Sequence, residues 1–193
     1  MSQTSYDLTM SYINLNNQLP GIIGLMTYRP ETAKPLNELA ETLLRGPSTL
    51  TSAEREMIAS YVSYQNECHF CHSCHGAAAA HHLDGNLDLM DDIKAGFKKT
   101  ELSKKMHALL NIAKKVQILG NRVTKEDVEA AKNEGATDLE IHDTVLIAAA
   151  FCMYNRYVDG LGTWAPENKE DYDETGRMLA HEGYRHSIPE AAS

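Results

Sequence analysis

The chain has 193 residues, 27 acidic against 18 basic for a net charge of −9, and 42% hydrophobic content. That length suits a single domain that buries its own core without a metal or a disulfide staple. The acidic balance opposes nonspecific attraction to nucleic acid or an anionic membrane, and the pairs Lys98-Lys99 and Lys104-Lys105 read as solvated helix faces.

In chain order, the apolar spacing is helical nearly throughout, with no run of alternating β-branched residues. An extended lead marked by Leu19-Pro20-Gly21 and Arg29-Pro30 precedes a helix over about 31–44, which Gly46-Pro47 stops. Thr51 caps a second helix, with Glu54 completing a capping box and Met57, Ile58, Tyr61 and Val62 following the helical period. Asn66 and Glu67 break the chain before a third helix that carries the cysteines and runs through the alanines at 77–80. Short helices follow over 87–95 and 103–119. Thr124 and Asp127 open another, ended by Gly135. Thr137 and Glu140 form a capping box for the most apolar helix, through Tyr157, with Gly160 and Gly162 ending it. The segment after Trp164 reads as a polar tail with a short helix over 172–180, fraying into Ala191-Ala192-Ser193. No repeat or linker divides the chain, so 1–193 is expected to be one all-α domain.

No apolar run approaches the roughly 20 residues that span a bilayer; the longest, 145–153, suits a buried helix. Residues 1–28 lack a basic start followed by a continuous apolar segment, which argues against a secretory signal and for a cytoplasmic location. In that compartment, clustered cysteines point to redox catalysis or metal rather than to structural disulfides.

The cluster is Glu67-Cys68-His69-Phe70-Cys71-His72-Ser73-Cys74-His75. On a helix of about 3.6 residues per turn, Cys68, Cys71 and His75 share one face. A dithiol at this spacing closes a disulfide, a helix N-terminus favours thiolate, and an imidazole one turn beyond Cys71 takes or returns its proton. Attack of a thiolate on a peroxide gives a sulfenic acid, which a neighbouring thiol converts to a disulfide. Other chemistries share these residues. Cys68-x-x-Cys71-His72 and Cys71-x-x-Cys74-His75 each fit c-type haem attachment, but they overlap at Cys71, and attachment of that kind belongs to exported chains. Cys68, Cys71, Cys74, His72 and His75 offer ligands for zinc, although one helix presents them on a narrow face. Simple core packing suits Cys152, set among Ile147, Ala148, Ala149, Ala150 and Phe151, while Cys74, expected to rotate away from the reactive face, is incidental or a spare thiol. His81 and His82 read as cations near a helix end. By position alone, Glu56 is either a carboxylate folding back near the cysteines or a solvated first-turn residue complementing the helix dipole.

Ser52-Ala53-Glu54-Arg55-Glu56-Met57-Ile58-Ala59, followed by Asn66-Glu67-Cys68-His69-Phe70-Cys71 and His75, resembles the core of the alkylhydroperoxidase D and carboxymuconolactone decarboxylase superfamily, in its peroxidase-related branch. Leu19-Pro20-Gly21, Arg45-Gly46-Pro47 and Asn155-Arg156-Tyr157-Val158-Asp159-Gly160-Leu161-Gly162 extend the resemblance over about 19–165. The resemblance implies an all-helical domain assembling as trimers or hexamers, with Cys71 attacking peroxide, Cys68 resolving, and His75 and Glu56 relaying protons. It implies no cofactor and no metal, and an external thiol reductant of lipoyl or thioredoxin-like type. The decarboxylase branch does not depend on a dithiol, so Cys68-x-x-Cys71 argues for the peroxidase side. Alkylhydroperoxidase D itself has a histidine just before its second cysteine. Phe70 stands there in this chain, flanked by His69 and His72, so part of the family relay is missing or rerouted.

Overall fold

The computed structural model describes residues 11–185; the frayed end expected at 191–193 lies outside them. Among the described residues the chain is built of α-helices and two short 3-10 turns, without a strand. The helices are α1 (Gly21–Tyr28), α2 (Pro30–Arg45), α3 (Ser52–Gln65), α4 (His69–His81), α5 (Asp88–Lys94), α6 (Lys104–Ile118), α7 (Lys125–Asn133), α8 (Asp138–Gly160) and α9 (Asp173–His181). None of them is long and apolar enough to cross a membrane.

The boundaries follow local chemistry. Thr51 and Glu54 exchange side-chain and backbone hydrogen bonds at the start of α3, as do Thr124 and Asp127 for α7 and Thr137 and Glu140 for α8. Each such reciprocal box satisfies two N–H groups that the helix leaves orphaned. Gly135, at φ +90°, ends α7 in a conformation that costs a side chain and not a glycine.

Helices α3 and α4 form the centre as an antiparallel hairpin: Glu56 meets His75 and Ser60 meets His72. Helix α9 packs over α4, while α8 and α6 pack over α3. The turn between α3 and α4 is a Schellman motif. The Cys68 N–H bonds Ser63 O at 3.0 Å and the Glu67 N–H bonds Tyr64 O at 2.9 Å. Glu67 takes the left-handed position at φ +62°, where a non-glycine residue costs about 1–2 kcal/mol. Asn155 of α8 braces this turn: its amide donates to Ser63 Oγ at 3.0 Å, and its Oδ1 accepts from Asn66 Nδ2 at 2.8 Å.

Two segments differ from the expectations. The lead over 21–28 is helical rather than extended. It has no side-chain cap, so packing holds it, as short helices require: Leu25 and Met26 are buried, and Ile22 and Ile23 rest on the core. The segment after Trp164 is not a polar appendage either. Tyr172, Leu179 and Tyr184 are 1%, 7% and 5% exposed, so this region closes one side of the core.

Candidate active site

Helix α3 carries Glu56 into the interior with no exposed surface, which overturns the solvated first-turn reading. Its Oε2 lies 2.7 Å from His75 Nδ1, and its Oε1 accepts the Tyr184 hydroxyl at 2.5 Å. The Tyr184 ring stacks on the imidazole, centroids 5.9 Å apart and 12° from parallel, while Phe151 meets the other side edge-on at 4.5 Å. An ionised carboxylate only accepts hydrogen bonds, so the Nδ1–H faces Glu56, and in the neutral ring Nε2 is the nitrogen with the lone pair.

Cys68 is the N-cap of α4, and Cys71 lies in the first turn. The two thiols are hydrogen-bonded to each other. That bond, followed by burial and the charge on Cys71, pushes the Cys68 thiol up, so Cys68 holds its proton and donates it. The Cys68 thiol also hydrogen-bonds the Asp159 carboxyl at the end of α8, whose own pKa is raised by partial burial.

Cys71, Cys74 and His75 line one partly open, mainly apolar cavity of about 80 Å³, walled by Ile22, Met26, Phe70, Phe151 and Tyr184 among others. A separate polar cleft of about 500 Å³ is lined by Tyr64, Glu67, Cys68, His69, His72 and Lys94. Cys71 and His75 of the expected face thus share a cavity, with Glu56 behind His75 from α3, while Cys68, at the N-cap, opens onto the other cleft. Cys74 does not rotate away as expected. Three residues on from Cys71, it faces the same cavity, and burial, followed by the charges of Cys68 and Glu56, pushes its thiol up.

The remaining residues of the cluster have other work. The buried His72 bridges α4 to α3 through Ser60 Oγ at 2.9 Å and Ser60 O at 3.2 Å, and burial lowers its pKa to about 4. It is a neutral core histidine. The ring of His69 reaches Pro166 O at 3.0 Å and meets Tyr172 edge-on, which ties the start of α4 to the segment before α9. Phe70 is wedged beneath α1: a Cβ on Gly21 would lie 2.2 Å from its ring. In the position where alkylhydroperoxidase D has a histidine, this chain thus has a packing residue. Cys152 accepts a hydrogen bond from Asn66 Nδ2 at 3.5 Å beside the α3–α4 turn. Among the described residues, no three His, Cys, Asp or Glu side chains come together as metal ligands. Of the five candidate zinc ligands, His72 is turned to Ser60 and His75 Nδ1 to Glu56.

Sequence reasoning missed Tyr184 and Asp159. Asp159 lay within a segment that carried the family resemblance, without a role. Tyr184 had no pattern to reveal it, since nothing in its neighbourhood shows that the chain turns back towards α3.

Residues 30–91, from α2 into α5 and including Glu56, Cys68, Cys71 and His75, match the carboxymuconolactone decarboxylase family. No curated protein matches the chain. Among solved structures it is similar to an uncharacterized peroxidase-related protein from Silicibacter sp. TM1040, at 25% identity over 82% of this chain and 81% of that one, with a TM-score of 0.70. It is also similar to an alkylhydroperoxidase D core, an uncharacterized peroxidase-related protein from Ralstonia eutropha JMP134. There the identity is 26%, the coverage 82% of each chain and the TM-score 0.71. A protein of unknown function from Agrobacterium tumefaciens shares the fold, with a TM-score of 0.62 at 18% identity over 77% of this chain and 99% of that one. The matched segment, the helical fold and these neighbours agree in what the chain is similar to: the alkylhydroperoxidase D-like, carboxymuconolactone decarboxylase superfamily, in its peroxidase-related branch.

Proposed function

We propose that the protein is a dithiol peroxidase acting on organic hydroperoxides. The observation that carries this reading is the convergence on one apolar cavity of Cys71 and a His75 whose Nδ1 is held by a buried carboxylate. His75 Nε2 takes the Cys71 proton, and the thiolate attacks the distal peroxide oxygen. The O–O bond breaks, Cys71 becomes a sulfenic acid, and the alkoxide leaves as the alcohol with the proton His75 returns. Cys68 then attacks the Cys71 sulfur. Asp159 takes the Cys68 proton and passes it to the sulfenic hydroxyl, which departs as water, and a Cys68–Cys71 disulfide remains. An external dithiol of lipoyl or thioredoxin-like type supplies two electrons and two protons to reopen it. The apolar wall favours a peroxide with a hydrocarbon group, because apolar surface leaves water on binding.

Two further attributes belong to this reading: assembly into trimers or hexamers, which the resemblance implies, and a cytoplasmic location, which is the expectation from the sequence. Leu139, Leu146 and Met153, spaced by seven along α8 and 38–49% exposed, give such an assembly an apolar contact stripe.

One equivalent of cumene hydroperoxide added to pre-reduced protein tests the chemistry. Loss of two thiols and a Cys68–Cys71 disulfide by mass spectrometry is expected, with Cys71→Ser consuming peroxide only at the background rate. Thiols that stay reduced, or undiminished turnover by Cys71→Ser, would sink the proposal.

A further inference from the structure

Resting on that reading, we infer that Tyr184 is a positioning residue for the His75–Glu56 pair, and that a two-residue latch on α2 delivers it there. The latch is made by Arg45 and Glu41, which pair at 3.6 Å. Arg45 Nη1 donates to Leu179 O at 3.1 Å and also to Ala180 O, so its guanidinium caps the last carbonyls of α9. Glu41 Oε2 accepts the Tyr184 N–H at 2.9 Å. Gly183 lets the chain pass: at φ +84°, a Cβ there would lie 2.5 Å from Glu41 Oε2. With its backbone held at these points, the chain turns Tyr184 inward, onto the imidazole face and the Glu56 carboxylate.

The hydroxyl decides how Glu56 is used. It occupies Oε1, which leaves Oε2 for the His75 Nδ1–H and fixes the tautomer whose Nε2 is free to take a proton. Burial, followed by the charge of Glu56, holds the Tyr184 phenol well above its ordinary range, so it donates throughout the neutral region. Among the described residues, ionisable groups whose charges bear on Glu56 or Tyr184 include Arg45 of α2, Arg55 of α3, and Cys74 and His82 of α4. None of these is replaced in the test below.

Tyr184→Phe keeps the ring stack and removes only the donor. A hydrogen bond to a charged group is lost, so alkylation of Cys71 by iodoacetamide slows by up to about tenfold at neutral pH. A carboxylate deprived of a donor binds a proton more readily. The Glu56–His75 pair therefore protonates at higher pH, and the acid limb of the alkylation profile moves upward by about one unit. A merely structural role lowers thermal stability and leaves that limb in place, and an unmoved limb overturns the inference. A second measurement needs no variant: long-range proton–nitrogen spectra of His75 in the wild-type chain are expected to show Nδ1 protonated and Nε2 bare. An Nε2-protonated neutral ring overturns it as well. Neither readout involves peroxide, so a chain that consumes no peroxide fails the proposed function while these two still decide Tyr184.

Discussion

Cys71 and Cys68 are three residues apart on one turn, yet they meet different surroundings. Cys71 faces an apolar cavity with an imidazole, a buried carboxylate and a phenol ranged behind it. Cys68 lines a polar cleft, bonds to Asp159, and keeps its proton because its neighbour's sulfur and its own burial resist ionisation. The contrast teaches that a symmetrical motif does not make equivalent thiols: one keeps its proton over a polar cleft, and the other faces the cavity from which, in the proposed cycle, it attacks.

The largest effect short of losing the nucleophile comes from removing the partner. Cys68→Ser is expected to complete one turnover and stop, leaving a Cys71 sulfenic acid that dimedone labels; continued turnover would make the two sulfurs interchangeable. His75→Gln acts on the Cys71 side alone. It is expected to slow the first step by about 10²–10⁴-fold, measured by stopped-flow thiol loss, while a preformed disulfide is reduced at the wild-type rate.

A stability measurement sharpens the comparison from the hairpin that carries both sulfurs. His72 has a pKa of about 4 against an ordinary 6.5. Below pH 6.5 the unfolded chain binds a proton there that the folded chain refuses. Stability therefore falls as pH drops from about 6.5 to about 4, by about 3 kcal/mol. Urea unfolding at several pH values checks this, and His72→Asn is expected to flatten the dependence across that window. The smallest effect is at the turn before Cys68. Glu67→Gly is expected to raise stability by about 1 kcal/mol through relief of the left-handed backbone, with the peroxide rate unchanged.

What could be read from the sequence was what depends on neighbours in the chain. The reciprocal caps at Thr51, Thr124 and Thr137 are each set by two residues three apart, and the helices began where those residues stand. The shared face of Cys71 and His75 needed only helical spacing. The role of Glu56 was ambiguous because burial is a property of packing, and only α4 and Tyr184 laid over α3 exclude water from it. Helix α1 was missed because its stability comes from the core beneath it rather than from caps or propensity. Cys74 was misplaced because a residue three positions beyond Cys71 stays on much the same side of the helix. Tyr184 was out of reach for the reason that makes it informative: its place depends on Arg45 and Glu41, well over a hundred residues earlier in the chain.

The Schellman turn at Glu67 fixes Cys68 from the backbone side. Its amide is spent on Ser63 O, and the turn is stapled to α8 through Asn66 and Asn155. Closing a disulfide to Cys71 is therefore left to side-chain rotation, because the main chain has no slack to contribute. In the proposed cycle, oxidised and reduced protein would then be nearly the same object in shape, with little energy lost to rearrangement. Such a hinge-free dithiol suits repeated electron traffic better than signalling, since a partner reading the outside of the molecule would find little in its outline to tell the two states apart.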